Sequence, residues 1–230
     1  MLCKSDLREA FMPPEEYEGY REEVETAQQE LEASIPSFNP LQGHYENVDF
    51  GRNYETQSSY PDVPFRDEIK GDFTSTVASS GCGLLITRFI DYFFCIPDGF
   101  DVRTFAEKGV ELGYRGYKQL PNGKWKKMGL VHAWFDRFVP SYNGLQCRML
   151  HNINGVNKAI FDQNLPVLLV RCSVYNDSPE STESHFVAVV GSDNEEGVYY
   201  LYDPKYDKIR EVPYYKVNNA VRKGWIFSEA

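Results

Sequence analysis

The hydrophobic period of this 230-residue sequence changes once, near Pro166, and that change constrains the fold more than any other feature. Before Pro166, apolar residues recur every three or four positions, as in helices that pack one face against a core. After Pro166 they alternate with polar residues, as in strands that bury one face. Helices first and strands afterwards predict an α+β fold with an antiparallel C-terminal sheet.

The predicted elements follow this division of the chain. We expect helices at residues 14–34, 82–94, 101–112, 129–139 and 154–163. We expect strands at residues 166–174, 184–192, 197–202, 209–215 and 225–228. Residues 35–73 are rich in Pro, Gly, Asn and Tyr, which favours an irregular wrapping segment, and residues 114–127 favour a loop or a short hairpin.

Composition argues against several classes of protein. A net charge of −10, with no basic block beyond residues 124–127, argues against a nucleic-acid partner. No apolar run approaches the roughly 20 residues of a membrane-spanning helix. The first residues turn charged at once and lack an apolar signal segment, which favours a cytoplasmic protein and leaves export without a signal open. Five scattered cysteines without paired spacing predict reduced thiols, no metal site and no cofactor.

One cysteine, Cys82, lies at the start of the helix predicted at residues 82–94. Ser79 and Ser80 can cap the first turn, and Gly81 and Gly83 let the backbone turn tightly beside the thiol. A thiol at this end of a helix meets the positive end of the helix dipole, which lowers its pKa and favours the thiolate. The commoner alternative is a small buried core cysteine, so only a neighbouring base would give Cys82 a catalytic role.

The hairpin predicted from residues 184–192 and 197–202 supplies a candidate base. His185 opens the first strand, and Asp203 directly follows the second. A turn centred between residues 194 and 195 would place residue 185 opposite about residue 204, beside Asp203. Neighbours on paired strands approach within roughly 5–6 Å at Cβ, so the carboxylate can accept from the imidazole and orient it. The alternative for each is structural: a core histidine and an Asp-Pro turn.

Three segments around these residues resemble a known family. The segments Ser-Ser-Gly-Cys-Gly at 79–83, His-Phe-Val-Ala-Val-Val-Gly at 185–191 and Tyr-Leu-Tyr-Asp-Pro at 200–204 are similar to motifs of the papain-like cysteine peptidases related to the bacterial double-glycine leader peptidases. The similarity extends over residues 54–228. It implies a papain-like fold, with a buried N-terminal catalytic helix packed on the C-terminal antiparallel sheet. Residues 1–53 would then form an extra acidic helix and a wrapping arm before a peptidase domain at 54–230.

The resemblance also implies roles for individual residues. Cys82 corresponds to the nucleophile, His185 to the general base and Asp203 to the residue that orients the base. Gln57, within a segment similar to the one that carries the family's oxyanion glutamine, is the candidate oxyanion donor. Its separation from Cys82 is longer than in papain, so backbone N–H groups alone are the alternative. Leu84 stands where many relatives have proline, a change that a helix start tolerates.

These roles predict a thiol hydrolase that cleaves a peptide or amide bond of a peptide or protein substrate. The same residues could also serve a deamidase or a transglutaminase-like acyl transferase, since the motifs do not separate these activities. The alternative from another class is a catalytically inactive module that grips a peptide.

The helix predicted at residues 14–34 offers a further contact surface. Its apolar stripe lies on an otherwise acidic helix and consists of Tyr17, Tyr20, Val24, Ala27 and Leu31. We expect this stripe to pack on the chain's own domain, or alternatively to regulate a cleft or contact a partner.

Overall fold

The computed structural model describes residues 48–97, 99–150, 153 and 155–229. The helix expected at residues 14–34 and most of the arm expected before residue 54 lie outside the described residues. The boundary expected at residue 53 therefore stays a prediction.

Seven α-helices occur in the described part of the chain. They are α1 (Val77–Ser80), α2 (Cys82–Phe93), α3 (Val102–Glu111), α4 (Val139–Asn143), α5 (Gly155–Phe161), α6 (Cys172–Tyr175) and α7 (Tyr214–Ala220). Two 3-10 turns, Gln57–Ser59 and Glu68–Lys70, precede them, and a π-helical turn, Trp134–Phe138, leads into α4. Within the described ranges, no helix combines the length and the apolar character needed to cross a membrane.

Eight strands form two antiparallel sheets. They are β1 (Arg115–Gln119), β2 (Trp125–Leu130), β3 (Gln146–Leu150), β4 (Leu165–Arg171), β5 (Ser184–Asp193), β6 (Val198–Tyr202), β7 (Arg210–Pro213) and β8 (Val221–Ser228). Strands β1 and β2 form a separate hairpin, and the other six form one sheet in the order β3-β8-β4-β5-β6-β7. Every neighbouring pair is antiparallel. The predicted mixture of helices and antiparallel sheet is confirmed.

The structure corrects the helix predicted at residues 129–139. Strand β2 continues to Leu130, and helical structure begins only at Trp134. Pro140, expected to end the helix, lies in the first turn of α4 instead. A proline fits there because the first N–H groups of a helix have no partner within the helix.

The sequence pattern also missed β3 and α7. Strand β3 is an edge strand whose residues are mostly exposed, so its apolar residues do not alternate cleanly. The strand predicted at residues 209–215 ends at Pro213, and α7 begins directly after it. Val217 and Ala220, the buried residues of α7, are too few to give a helical period.

Helix α2 lies at the centre of the core. Of its residues, only Cys82, Arg88 and Tyr92 are not buried. The helix contacts β2, β4, β5 and α3. Each large apolar side chain that it buries stabilises the fold by roughly 1.5–3 kcal/mol before entropy is subtracted. The apolar burial therefore fixes where the first residue of α2, Cys82, is presented.

One buried hydrogen bond ties α2 to the π-helical turn. The indole Nε1 of Trp134 donates to Thr87 Oγ1 at 2.7 Å, and Thr87 Oγ1 donates in turn to the Gly83 carbonyl at 2.9 Å. Both side chains are fully buried. A buried donor must have an acceptor, so this threonine is the polar residue that the tryptophan requires.

We expect Thr87→Val to destabilise the protein by about 1–3 kcal/mol, because the Trp134 N–H would be left buried without an acceptor. Urea unfolding measures the loss. The matched control is Trp134→Phe, which removes the donor. Because the double variant removes both partners, its cost should be smaller than the sum of the two single costs. Strict additivity would contradict the role given to this hydrogen bond.

Candidate active site

Cys82 is the first residue of α2, directly after Gly81 at the N-cap. The groups around its thiol that favour the charged form are the His185 side chain and the backbone N–H groups of Gly83 and Phe186. Burial is the largest single influence and raises the pKa of the thiol. The hydrogen bond and charge of His185, together with the two N–H groups, outweigh burial, so the pKa of Cys82 lies below its usual value.

Gly83 allows this close approach between α2 and its neighbours. A Cβ at this position would lie 2.8 Å from Leu130 Cδ1 and 3.4 Å from Phe186 Cδ2. A side chain would therefore push α2 away from the end of β2 and from β5. Because Phe186 directly follows His185, the same contact sets the distance between the thiol and the imidazole.

His185 lies at the second position of β5 and is buried, with 2% of its surface exposed. Its Nε2 lies 2.7 Å from Asp203 Oδ1. Since Nε2 is engaged by the carboxylate, Nδ1 is the ring nitrogen that remains for the Cys82 thiol. Burial lowers the pKa of His185, but the hydrogen bonds to Asp203 and Cys82 raise it more, to about 9. The imidazole is thus held in its protonated form at neutral pH.

Asp203 follows β6 and is completely buried. Its Oδ1 accepts from His185 Nε2 and from the Lys205 N–H at 3.0 Å. Its Oδ2 accepts from Tyr175 Oη at 3.0 Å and from Arg210 Nη1 at 3.1 Å. Burial raises the pKa of this carboxyl, but His185 and the other donors lower it to about 2. The carboxylate is therefore ionised, and both of its oxygens are fully occupied.

The structure brings His185 and Asp203 together, although the predicted strand register is off by one residue. The pairs nearest the site are Ala188 with Tyr202 and Val189 with Leu201. Continued toward the site, this register places residue 185 opposite residue 205 rather than 204. The turn is centred one residue later than expected, which by itself would place residue 185 opposite residue 206, and the bulge in β5 between Val189 and Gly191 brings the register back by one residue.

Gln57 lies beside the chain that leads into α2. Its backbone N–H donates to the Pro204 carbonyl at 2.7 Å, next to Asp203. Its side-chain Nε2 donates to the Ala78 carbonyl in α1 at 2.9 Å. The Gln57 side chain is buried, and its Oε1 has no hydrogen-bond partner among the described residues. Its role as an oxyanion donor stays a prediction.

Tyr175 and Arg210 were missed by the sequence analysis. Tyr175 belongs to α6, which replaces the end of the strand predicted at residues 166–174. Arg210 opens β7 and pairs with Leu201, two positions before Asp203. That pairing was the available signal, since antiparallel pairing of β6 and β7 brings Arg210 close to Asp203. The guanidinium also lies 4.1 Å from the centre of the Tyr206 ring.

This arrangement can deliver a nucleophile and a proton to the same place. A thiol with a lowered pKa and an imidazole with a raised pKa form a thiolate–imidazolium pair. The described residues contain no cluster of three or more His, Cys, Asp or Glu side chains that could hold a metal ion.

The comparisons with known proteins bear on the fold. No family model matches the sequence, and no curated protein matches it. Among solved structures, a C39-like peptidase from Bacillus anthracis matches with a TM-score of 0.50 at 15% identity, covering 74% of this chain and 96% of that chain. The peptidase domain of Streptococcus ComA, a bifunctional ABC transporter involved in quorum sensing, matches with a TM-score of 0.43 at 12% identity, covering 65% and 91%. The Bacillus match confirms the predicted resemblance at the level of the fold: this chain shares its fold with a C39-like peptidase.

Proposed function

We propose that this protein is a cysteine peptidase in which Cys82, His185 and Asp203 act as a catalytic triad. The observation that carries the proposal is the buried imidazole of His185, which lies 2.7 Å from the buried Asp203 carboxylate and beside the thiol at the start of α2, whose pKa it lowers. A core cysteine would need neither the imidazole nor the carboxylate. The fold shared with a C39-like peptidase supports the same reading.

The chemistry follows from the protonation states. The Cys82 thiolate attacks the carbonyl carbon of the scissile amide, and the protonated His185 then gives its proton to the leaving amine. The neutral imidazole next takes a proton from water, which attacks the thioester and releases the acid product and the thiol. Asp203 keeps the ring in one orientation and stabilises its charged form throughout.

The start of α2 also provides donors for the tetrahedral intermediate. The first N–H groups of a helix have no partner within the helix, and that of Cys82 lies beside the attacking sulfur. We assign it to the oxyanion, together with the Gln57 amide. Only one of the two amide hydrogens of Gln57 is used by Ala78, so the other can reach the oxyanion.

The acyl acceptor decides between the related activities. Water as acceptor gives a peptidase, or a deamidase when the substrate is a side-chain amide, whereas an amine gives acyl transfer. Mass spectrometry of the products from a peptide library, with and without added amine, separates these outcomes. A catalytically inactive module would give no product in any of them.

We expect Cys82→Ala to lower turnover at least about a thousandfold with little loss of stability, because it removes the nucleophile but no large packing contact. His185→Ala should be similarly inactive, and Asp203→Asn should be milder because the base is still present. Cleavage of a peptide library measures all three variants. Cys95→Ala is the matched control, since Cys95 is an exposed cysteine. Near-normal turnover by Cys82→Ala would contradict the proposal.

The thiolate–imidazolium pair predicts a specific pH dependence of alkylation. At pH 6 an ordinary thiol is less than about 1% thiolate, whereas the pKa of Cys82 is lowered by its neighbours. We expect iodoacetamide to label Cys82 at pH 6 at least about tenfold faster than Cys95, as measured by peptide mass spectrometry. In His185→Ala the fast reaction should disappear, because only the Gly83 and Phe186 N–H groups then oppose the rise in pKa that burial causes. Equal labelling of the two cysteines in the intact protein would count against an activated thiol.

Arg210 should act as a positioning residue for this triad. Its positive charge, 3.1 Å from Asp203 Oδ2, partly offsets the carboxylate charge that raises the pKa of His185. In Arg210→Gln we expect the alkaline limb of kcat/KM to move to higher pH, by roughly 0.5–1 unit. Arg210→Lys should restore the original limb. A lower melting temperature with an unchanged pH profile would show that Arg210 only stabilises the fold.

A further inference from the structure

The β1–β2 hairpin is a basic element in an acidic protein. Residues 115–130 contain five basic residues and no Asp or Glu, although the whole chain carries a net charge of −10. Its basic residues are Arg115, Lys118, Lys124, Lys126 and Lys127. The two faces of the hairpin differ in whether their basic side chains are paired with acidic ones.

On the inner face of the hairpin, polar and charged side chains are paired with groups of this same chain. Lys127 Nζ lies 2.8 Å from Asp72 Oδ1, and Tyr117 Oη donates to Asp72 Oδ2 at 2.8 Å. Trp125 lies under the ammonium group of Lys70, at 4.7 Å from the ring centre. The inner face therefore fixes the hairpin onto the segment that contains Asp72.

The outer face consists of Lys118, Lys126 and Met128. Lys118 and Lys126 lie directly opposite each other in the strand register, and like charges so placed destabilise a sheet. Neither lysine forms an ion pair within the described ranges; Lys126 Nζ instead donates to Thr182 Oγ1 at 3.2 Å. Met128 Cβ would lie 3.2 Å from a Cβ at Gly116, so it shares this face, and 54% of Met128 is exposed.

Two contacts connect the hairpin to the segments that lead into Cys82 and His185. At one end, Gly129, with a φ of +78°, lies close to the carbonyl of Ser80, two residues before Cys82; an added Cβ would be 3.7 Å away. At the other end, Lys126 reaches Thr182, which lies shortly before His185. A peptide held across the thiol and the imidazole would thus continue along the hairpin.

We propose that the outer face of the hairpin binds the flank of the substrate and selects peptides with an acidic residue near an apolar one. The inference rests on the proposed peptidase function. A carboxylate from the substrate would be matched by Lys118 and Lys126, which have no acidic partner of their own. An apolar side chain next to it would cover Met128. The occupant is a peptide rather than a nucleic acid, because two lysines on a strongly acidic protein give too little positive charge for polyanion binding.

The test compares the intact protein with Lys118→Gln/Lys126→Gln in a positional-scanning library of quenched fluorescent peptides. In the intact protein, kcat/KM should be about tenfold higher with Glu than with Gln at one flanking position, and the preference should fall as salt rises. In the double variant, kcat/KM for the Glu peptide should fall about tenfold, to the value for the Gln peptide. Met128→Ser should weaken the apolar preference at the neighbouring position. Melting temperatures check that the variants fold.

The matched control is Lys108→Gln/Lys158→Gln. It removes the same charge from exposed lysines whose ion pairs with Glu111 and Asp162 contribute little. This control should keep the preference for Glu. An equal rate with Glu and Gln in the intact protein, or an unchanged preference in Lys118→Gln/Lys126→Gln, would overturn the inference.

A binding arm separates this inference from the proposed catalysis. Fluorescence polarisation measures binding of fluorescein-labelled Glu and Gln peptides, which differ at the one position, to Cys82→Ala. Preferential binding of the Glu peptide should be lost in the triple variant Cys82→Ala/Lys118→Gln/Lys126→Gln. That result would support the role of the outer face in substrate binding even if no peptide is ever cleaved. Equal binding of both peptides would reject the inference. It would also be rejected if a single-stranded oligonucleotide displaced the labelled Glu peptide as well as the unlabelled Glu peptide does.

Discussion

A buried, ionised carboxylate holds the candidate site together. Removing the Asp203 charge from water costs several kcal/mol, so the folded chain must surround it with donors. It does so from four places: β5 through His185, α6 through Tyr175, β7 through Arg210 and the turn after β6 through the Lys205 N–H. These donors lie between 2 and 28 residues from Asp203 in sequence and converge on its two oxygen atoms. Loss of the carboxylate would thus leave buried donors unpaired at several points, whereas its presence fixes the orientation of the imidazole.

The position of the thiol is fixed by a different force. Helix α2 is held by apolar burial on nearly all sides, and the absence of a side chain at Gly83 lets it approach β2 and β5. Dispersion and hydrophobic burial are non-directional, so on their own they would tolerate small shifts of the helix. The directional part comes from polar groups: the hydrogen bond of His185 with Asp203 orients the imidazole, and that imidazole and the Phe186 N–H stabilise the Cys82 thiolate. Packing brings the two halves of the site together, and polar contacts set the final distance.

Contacts of this site that are local in the chain could be predicted from the sequence, whereas contacts that depend on the folded sheet could not. The hairpin of β5 and β6 is a local unit, so pattern and turn length brought His185 near Asp203 to within one residue. The error came from the turn, which is centred one residue later than expected; the bulge in β5, which is not visible as a change of pattern, reduced the error by one residue. Tyr175 and Arg210 reach Asp203 through α6 and β7, whose positions depend on the folded sheet. The neighbours of Gln57 could not be predicted because residues 48–76 have no hydrophobic period; its hydrogen bonds to Pro204 and Ala78 exist only in the folded chain.

Charge shows why composition alone is a poor guide to binding. The basic run at residues 124–127 belongs to the segment expected to form a loop or a short hairpin. In the structure it lies at the turn of the hairpin and in β2, and strand alternation divides its members. Lys127 faces inward and is matched by Asp72, while Lys126 faces outward beside Lys118. The strand therefore turns one run of like residues into a structural ion pair and an unmatched surface charge. Only the second has no acidic partner among the described residues, and Lys126 donates to Thr182, three residues before His185. A net charge of −10 describes the whole molecule but does not describe this edge of the site.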